Sequence, residues 1–225
     1  MCIRDRSDVL ENFVSKAGQH IEILKLEEFG PSLFIDSELQ VAEKDEKKYS
    51  GQFVGSALNL SKNNSSAAII GGGDGGVARE LSSKGFDLID WYELDPEVVK
   101  VCQKHLLKVC GDIKANNKVK TYWGDAFESI KKVKNSKYDK IFVDLNDDQF
   151  CIDLAAKNMR GLKRILKPGG VITAQVGCMS KKPRQVKNWI ELLKSNFGNA
   201  VLDEVFIPSF DCRWNFASSS NKDHS

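Results

Sequence analysis

Histidine is nearly missing from this chain. Its three copies, His20, His105 and His224, are scattered through 225 residues. Imidazole-based metal sites need several such ligands converging on one point, and this spacing offers none. Cysteine is present six times, as Cys2, Cys102, Cys110, Cys151, Cys178 and Cys212, but never as C-x-x-C. That excludes a zinc ribbon or a thioredoxin-type pair and leaves buried, reduced thiols in a cytoplasmic protein as the expectation. No apolar run approaches the roughly 18 residues that span a bilayer, and no signal-peptide core is found. With 33 basic and 31 acidic residues the net charge is only +2, so no global field marks a nucleic-acid or membrane partner. Internal repeats and low-complexity linkers are also lacking.

What is there is an ordinary globular composition, 41% hydrophobic and 28% charged, enough for one sizeable α/β core. The opening "MCIRDR" does not resemble a native start, so the fold is expected to begin near residue 8, with part of the N-terminus missing. Residues 8–46 alternate as short strands broken at Gly30-Pro31 and predict a small β-hairpin region. Residues 47–218 open with a helix to Leu60 and then alternate strand and helix, which predicts a doubly wound, Rossmann-like parallel sheet. Its last two strands, "AVLDEVFIP" and "RWNFASS", are close enough to be antiparallel. Residues 219–225 are expected to be a disordered polar tail.

The chemistry starts at "AIIGGGDGGVARE". Gly71, Gly73 and Gly76 fall between a strand and a helix, the context of a nucleoside-binding turn. Glu93, at the end of the next strand and two residues before Asp95, is placed to accept both ribose hydroxyls. Asp74, within the turn, would repel a pyrophosphate, so NAD and ATP fit poorly. Asp125, followed by Ala126, ends the third strand, where a carboxylate and a backbone N–H can grip the adenine amine; alternatively it caps the next helix. These are the features of S-adenosyl sulfonium domains. Asp144, Asp147 and Asp148 then end the fourth strand. So many carboxylates in one crevice call for a cation, either a hard metal bound by oxygen alone or a polycationic substrate. With no histidine nearby, the polycation is the reading adopted.

Taken together, "IIGGGDGGVARE", "YELDPEVV", "WGDAFE", "IFVDLND" and "FIPSF" resemble the polyamine aminopropyltransferases, the spermidine and spermine synthases, from about Gly18 to Phe216. The resemblance implies decarboxylated S-adenosylmethionine as co-substrate, with no prosthetic group and no metal. It implies a donor site of Gln19, Asp74 on the donor's ammonium, Glu93 and Asp125, and an acceptor site that includes Tyr49, Asp147 and Phe210. It assigns Asp144 as the group that takes a proton from the attacking amine. A homodimer is expected. The acceptor side departs from the family pattern: Asp144-Leu145-Asn146-Asp147-Asp148 replaces Asp-Ser-Ser-Asp-Pro, Ser50 and Gly51 follow Tyr49, and Phe210 stands where tyrosine is common. The alternatives are a methyltransferase of the same fold and an inactive homologue that binds nucleoside or polyamine.

Overall fold

The computed structural model describes residues 7–113 and 115–221. Ser7–Val14 (β1), His20–Leu26 (β2), Gly30–Ile35 (β3) and Glu38–Ala42 (β4) form a four-stranded antiparallel sheet in that order, the small N-terminal β region expected from the sequence. Helix α1, Glu46–Leu60, leads into the main domain. There Ser66–Gly71 (β5), Gly76–Ser83 (α2), Leu88–Glu93 (β6) and Pro96–His105 (α3) alternate, followed by the short α4, Leu107–Cys110. The series continues with Val119–Trp123 (β7), Ala126–Ile130 (α5), Tyr138–Asp144 (β8), Gln149–Ile165 (α6), Leu166–Cys178 (β9) and Pro183–Phe197 (α7). It closes with Val201–Ile207 (β10) and Cys212–Ser220 (β11).

The larger sheet has the order β10-β11-β9-β8-β5-β6-β7, parallel from β7 to β9 and antiparallel at its last two strands. Its central strands are apolar almost without interruption because helices cover both faces. On one face Ile141 and Val143 pack with Met159 and Leu162 of α6 and Trp189 and Leu193 of α7. On the other, Ile69 and Phe142 meet Phe53 and Val54 of α1 and Leu81 of α2. The small sheet is docked by Ile21 and Ile23, which pack on Val98, Val101 and Cys102 of α3. Strand β5 lies between β6 and β8, so the connections diverge to either side of it and leave a crevice over the strand ends. Docking the small sheet on α3 adds a wall to that crevice.

Two expectations are corrected. The tail predicted from residue 219 is ordered at its start: Ser219 and Ser220 pair with Ile172 and Val171, and Asn221 N donates to Gly170 O at 2.8 Å. A serine run satisfies a buried strand here because its hydroxyls find acceptors, Ser219 Oγ donating to Asn199 O at 2.6 Å. Residues 222–225 and Cys2 lie outside the described residues. The thiol expectation holds for Cys102 and Cys110, which are buried and unpaired; Cys151 is unpaired but only half-buried, and Cys178 and Cys212 form a disulfide. Thirty-four residues separate them in sequence, and only the pairing of β11 with β9 brings them together. Among the described residues, no helix is long and apolar enough to cross a membrane.

Candidate active site

A cavity of about 830 Å³ opens at the crevice, within the range of small-molecule sites. Its floor is the loop between β5 and α2. Gly71 has φ +82°, and a Cβ there would come within 2.4 Å of Asp144 O, so the loop can lie against the end of β8 only with glycine. Trp91 Nε1, from β6, donates to Gly71 O at 2.8 Å and fixes the loop from below. Asp74 turns back on the loop, with its Oδ1 accepting from Gly76 N at 2.6 Å. Gly73 lies over Glu93, whose Oε2 would be 3.3 Å from a Cβ at that position.

Of the residues singled out in sequence, Gln19, Tyr49, Gly71, Gly73, Asp74, Glu93, Asp125, Ala126, Asp144, Asp147 and Phe210 all line this one cavity. Gly76 does not. It is buried behind the loop, where its N–H is occupied by Asp74. Asp125 does cap α5, accepting from Phe127 N at 2.7 Å and Glu128 N at 3.3 Å through a single oxygen, Oδ1. The capping reading is thereby borne out, and it engages only one of the two carboxylate oxygens. Asp148 caps α6 by accepting from Cys151 N at 2.7 Å.

The part of the cavity around Asp144 is compact. Tyr49 donates its hydroxyl to Asp144 Oδ1 at 2.7 Å, and its ring is held edge-on by Phe53, Phe210 and Phe216. The other carboxylate oxygen, Oδ2, lies against the glycine loop, 2.8 Å from where a Cβ of Gly72 would be. Burial pushes the Asp144 carboxyl up to about 6, opposed by the Tyr49 hydrogen bond and reinforced by the charge of Glu46. Asp74 is raised well above the ordinary carboxylate range by burial first, and then by the charges of Asp144 and Glu46. Burial also takes Glu93 up to about 7. The Tyr49 hydroxyl is raised by burial and by Asp144, and so remains a donor. Burial and mutual repulsion thus shift all three carboxyl groups toward their protonated forms in the absence of a cation, and a cationic ligand would oppose that shift.

Sequence reasoning missed the scaffold beneath these groups. Arg79, in the helix after the glycine loop, donates through Nη1 to Glu46 Oε2 at 2.5 Å and to Val109 O at 2.5 Å, and through Nη2 to Ser50 Oγ at 2.9 Å. Glu46 is 2% exposed, so Arg79 is the charge that keeps it beside Asp74. Arg79→Met should cost about 3 kcal/mol of stability by leaving that carboxylate buried and unpaired. Urea unfolding monitored by tryptophan fluorescence would measure the loss, and a midpoint equal to wild type would remove Arg79 from this role. Asp45, in the N-cap position of α1, makes no side-chain capping bond. Its carboxylate instead accepts from Ser209 N at 2.7 Å and Ser209 Oγ at 3.0 Å, holding the turn that presents Phe210. Gln175 accepts from Trp214 Nε1 at 3.1 Å and donates to Leu145 O, joining β9, β11 and the segment after β8. A buried-side arginine in "GGVARE" and an acid just before α1 were visible in the sequence, but nothing local indicated their partners.

A family model described as the spermine/spermidine synthase domain matches residues 46–225. The chain is similar to curated polyamine aminopropyltransferases of Prochlorococcus marinus. It is 31% identical over 220 residues to that of strain MIT 9215, covering 92% of this chain and 76% of the relative. It is 33% identical over 210 residues to that of strain MIT 9515, covering 89% and 73%. A polyamine aminopropyltransferase of Korarchaeum cryptofilum is 27% identical over 217 residues, covering 96% and 67%. Among solved structures, a spermidine synthase in complex with the transition state analogue AdoDATO superposes with a TM-score of 0.86 at 22% identity, covering 95% of this chain and 73% of that one. A spermidine synthase from Thermotoga maritima gives 0.85 at 22% identity, covering 95% and 72%. At that identity the structural likeness speaks for the fold.

Proposed function

The chain belongs to the spermine/spermidine synthase family, and from that premise we propose that it moves the aminopropyl group of decarboxylated S-adenosylmethionine to an amine nitrogen of putrescine or spermidine, releasing methylthioadenosine. The observation that carries this reading is the pair of carboxylates, Asp74 and Asp144, that meet at one glycine loop over a nucleoside-sized cavity. Glu93 takes the ribose hydroxyls, and the free oxygen of Asp125 with the N–H of Ala126 takes the adenine edge. Gln19 closes the donor from the small sheet. Asp74 pairs with the ammonium of the aminopropyl arm, where a methionine carboxylate would be repelled. Tyr49 and Phe210 flank the acceptor.

In the reaction a neutral amine attacks the carbon next to the sulfonium. A C–N bond forms as the C–S bond breaks, and the electron pair of that bond neutralises the sulfur. The new secondary ammonium gives its proton to Asp144 Oδ2, while Tyr49 holds Oδ1. The leaving group is already cationic, so the protein contributes chiefly by aligning two partners and by maintaining one unprotonated nitrogen.

An acid limb in the pH profile follows. Asp144 accepts a proton only as a carboxylate, and its free-enzyme value is about 6. The rate constant kcat/KM should therefore rise from pH 5 through an inflection near 6, with a further rise as the amine itself deprotonates. In kcat the inflection should move to lower pH, because a bound cation favours ionised Asp144. Steady-state methylthioadenosine release between pH 5 and 9 reads both, and a flat profile between 5 and 7 would remove Asp144 from the proton-accepting role. The activity itself is tested by supplying decarboxylated S-adenosylmethionine with a panel of amines: methylthioadenosine and an aminopropylated amine support transfer, and nucleoside binding without either product supports an inactive homologue.

A further inference from the structure

The part of the cavity lined by Asp147 and Lys182 is built differently from the part lined by the glycine loop. Asp147 is buried there, and its Oδ1 lies 3.0 Å from Lys182 Nζ. Its Oδ2 faces Gly177, where a Cβ would come within 2.5 Å, so the end of β9 closes onto this carboxylate. Lys182 is 34% exposed, at the cavity rim, and Lys181 beside it donates to Phe210 O at 2.7 Å. Both lysines line the cavity. The remaining acids at that end are Glu38 and Asp148, both exposed, and Asp148 is already engaged as the cap of α6. Exposed carboxylates are screened by solvent and hold a cation weakly.

A linear diamine with one nitrogen at Asp144 carries a second ammonium that needs a carboxylate. Asp147 is the buried acid three residues farther along the same lining, and an ammonium supplied by the chain itself already occupies it. We propose that Lys182 is a specificity-determining residue, an internal ammonium that competes with the distal ammonium of the acceptor for Asp147. This inference rests on the aminopropyl-transfer reading of the site. With Lys182 in place a diamine gains little over a monoamine of equal length, because its second charge must displace a tethered one. Removing that charge returns Asp147 to the substrate.

Lys182→Met keeps the aliphatic stem and removes the charge. The comparison is between 1,4-diaminobutane and 1-aminobutane, read first as methylthioadenosine release. Lys182→Met should lower KM for the diamine roughly tenfold, the scale of one partly buried ion pair. KM for the monoamine should stay within about twofold, and kcat should move far less than the diamine KM. Lys182→Arg should behave as wild type, and adding Asp147→Asn to Lys182→Met should abolish the gain. An unchanged ratio of diamine to monoamine KM overturns the proposal. So does an equal loss for both amines, which would make the pair a structural clamp. Quenching of Trp214 fluorescence by each amine, with methylthioadenosine bound, gives the same ratio without turnover. If wild type releases no methylthioadenosine with any amine, the transfer reading fails, while the binding ratio in Lys182→Met still decides the role of Lys182.

Discussion

Asp144→Asn should lower kcat by about three orders of magnitude, within the range for removing a positioned general base, while methylthioadenosine affinity changes less than about threefold. The substitution is isosteric, so Tyr49 keeps an oxygen to donate to and no void opens at the end of β8. What disappears is the basic oxygen beside the glycine loop, at the point where β8 meets Gly72. Burial has already tuned that carboxyl to about 6, near enough to neutral pH that it is ionised at rest and still basic enough to take the proton. An amide does neither. Single-turnover methylthioadenosine release at saturating donor and acceptor gives the rate, and calorimetry with methylthioadenosine gives the affinity. A variant that retains most of its rate would show that the proton leaves by another route.

Asp74→Asn should act on the other step. It should weaken decarboxylated S-adenosylmethionine by about 100-fold, the cost of truncating one partner of a desolvated charge pair, and barely affect neutral methylthioadenosine. The reason lies in how the cavity holds this carboxylate. One oxygen is tied to Gly76 N, and burial together with the Asp144 and Glu46 charges raises its proton affinity. The free protein therefore holds clustered carboxyl groups whose ionisation a bound cation would favour. Ordinary S-adenosylmethionine brings an ammonium and a carboxylate together, and in the proposed pose the carboxylate would meet both Asp74 and Asp144. Its affinity should accordingly rise relative to the decarboxylated donor when Asp74 is neutralised. Calorimetric titration with the three nucleosides reads the pattern, and a uniform loss for all three would assign Asp74 to loop structure alone.

The geometry of the proposed donor side was legible in the sequence because its parts are local. A strand, a glycine turn and a helix place Asp74 within one short segment, and Glu93 and Asp125 each end the next strand in order. The supporting contacts were not legible, because they depend on which strands become neighbours. Asp45 meets Ser209 across 164 positions, and Arg79 meets Glu46 across 33. Lys182 reaches Asp147 only because β9 lies beside β8, and Cys178 joins Cys212 only because β11 returns beside β9. Periodicity carries no record of such pairings. The serines at the end of β11 misled for a related reason: a polar run reads as tail unless its polar groups have partners, and here Asn199, in the connection between α7 and β10, accepts from Ser219 Oγ and Ser220 N.

The central claim is that an acid-bearing glycine loop selects a cationic aminopropyl donor. It is tested most directly by giving the protein equal concentrations of decarboxylated and ordinary S-adenosylmethionine with putrescine and analysing the products by mass spectrometry. The account predicts aminopropylated putrescine and methylthioadenosine, with no methylated amine. Methylated putrescine with S-adenosylhomocysteine would contradict it.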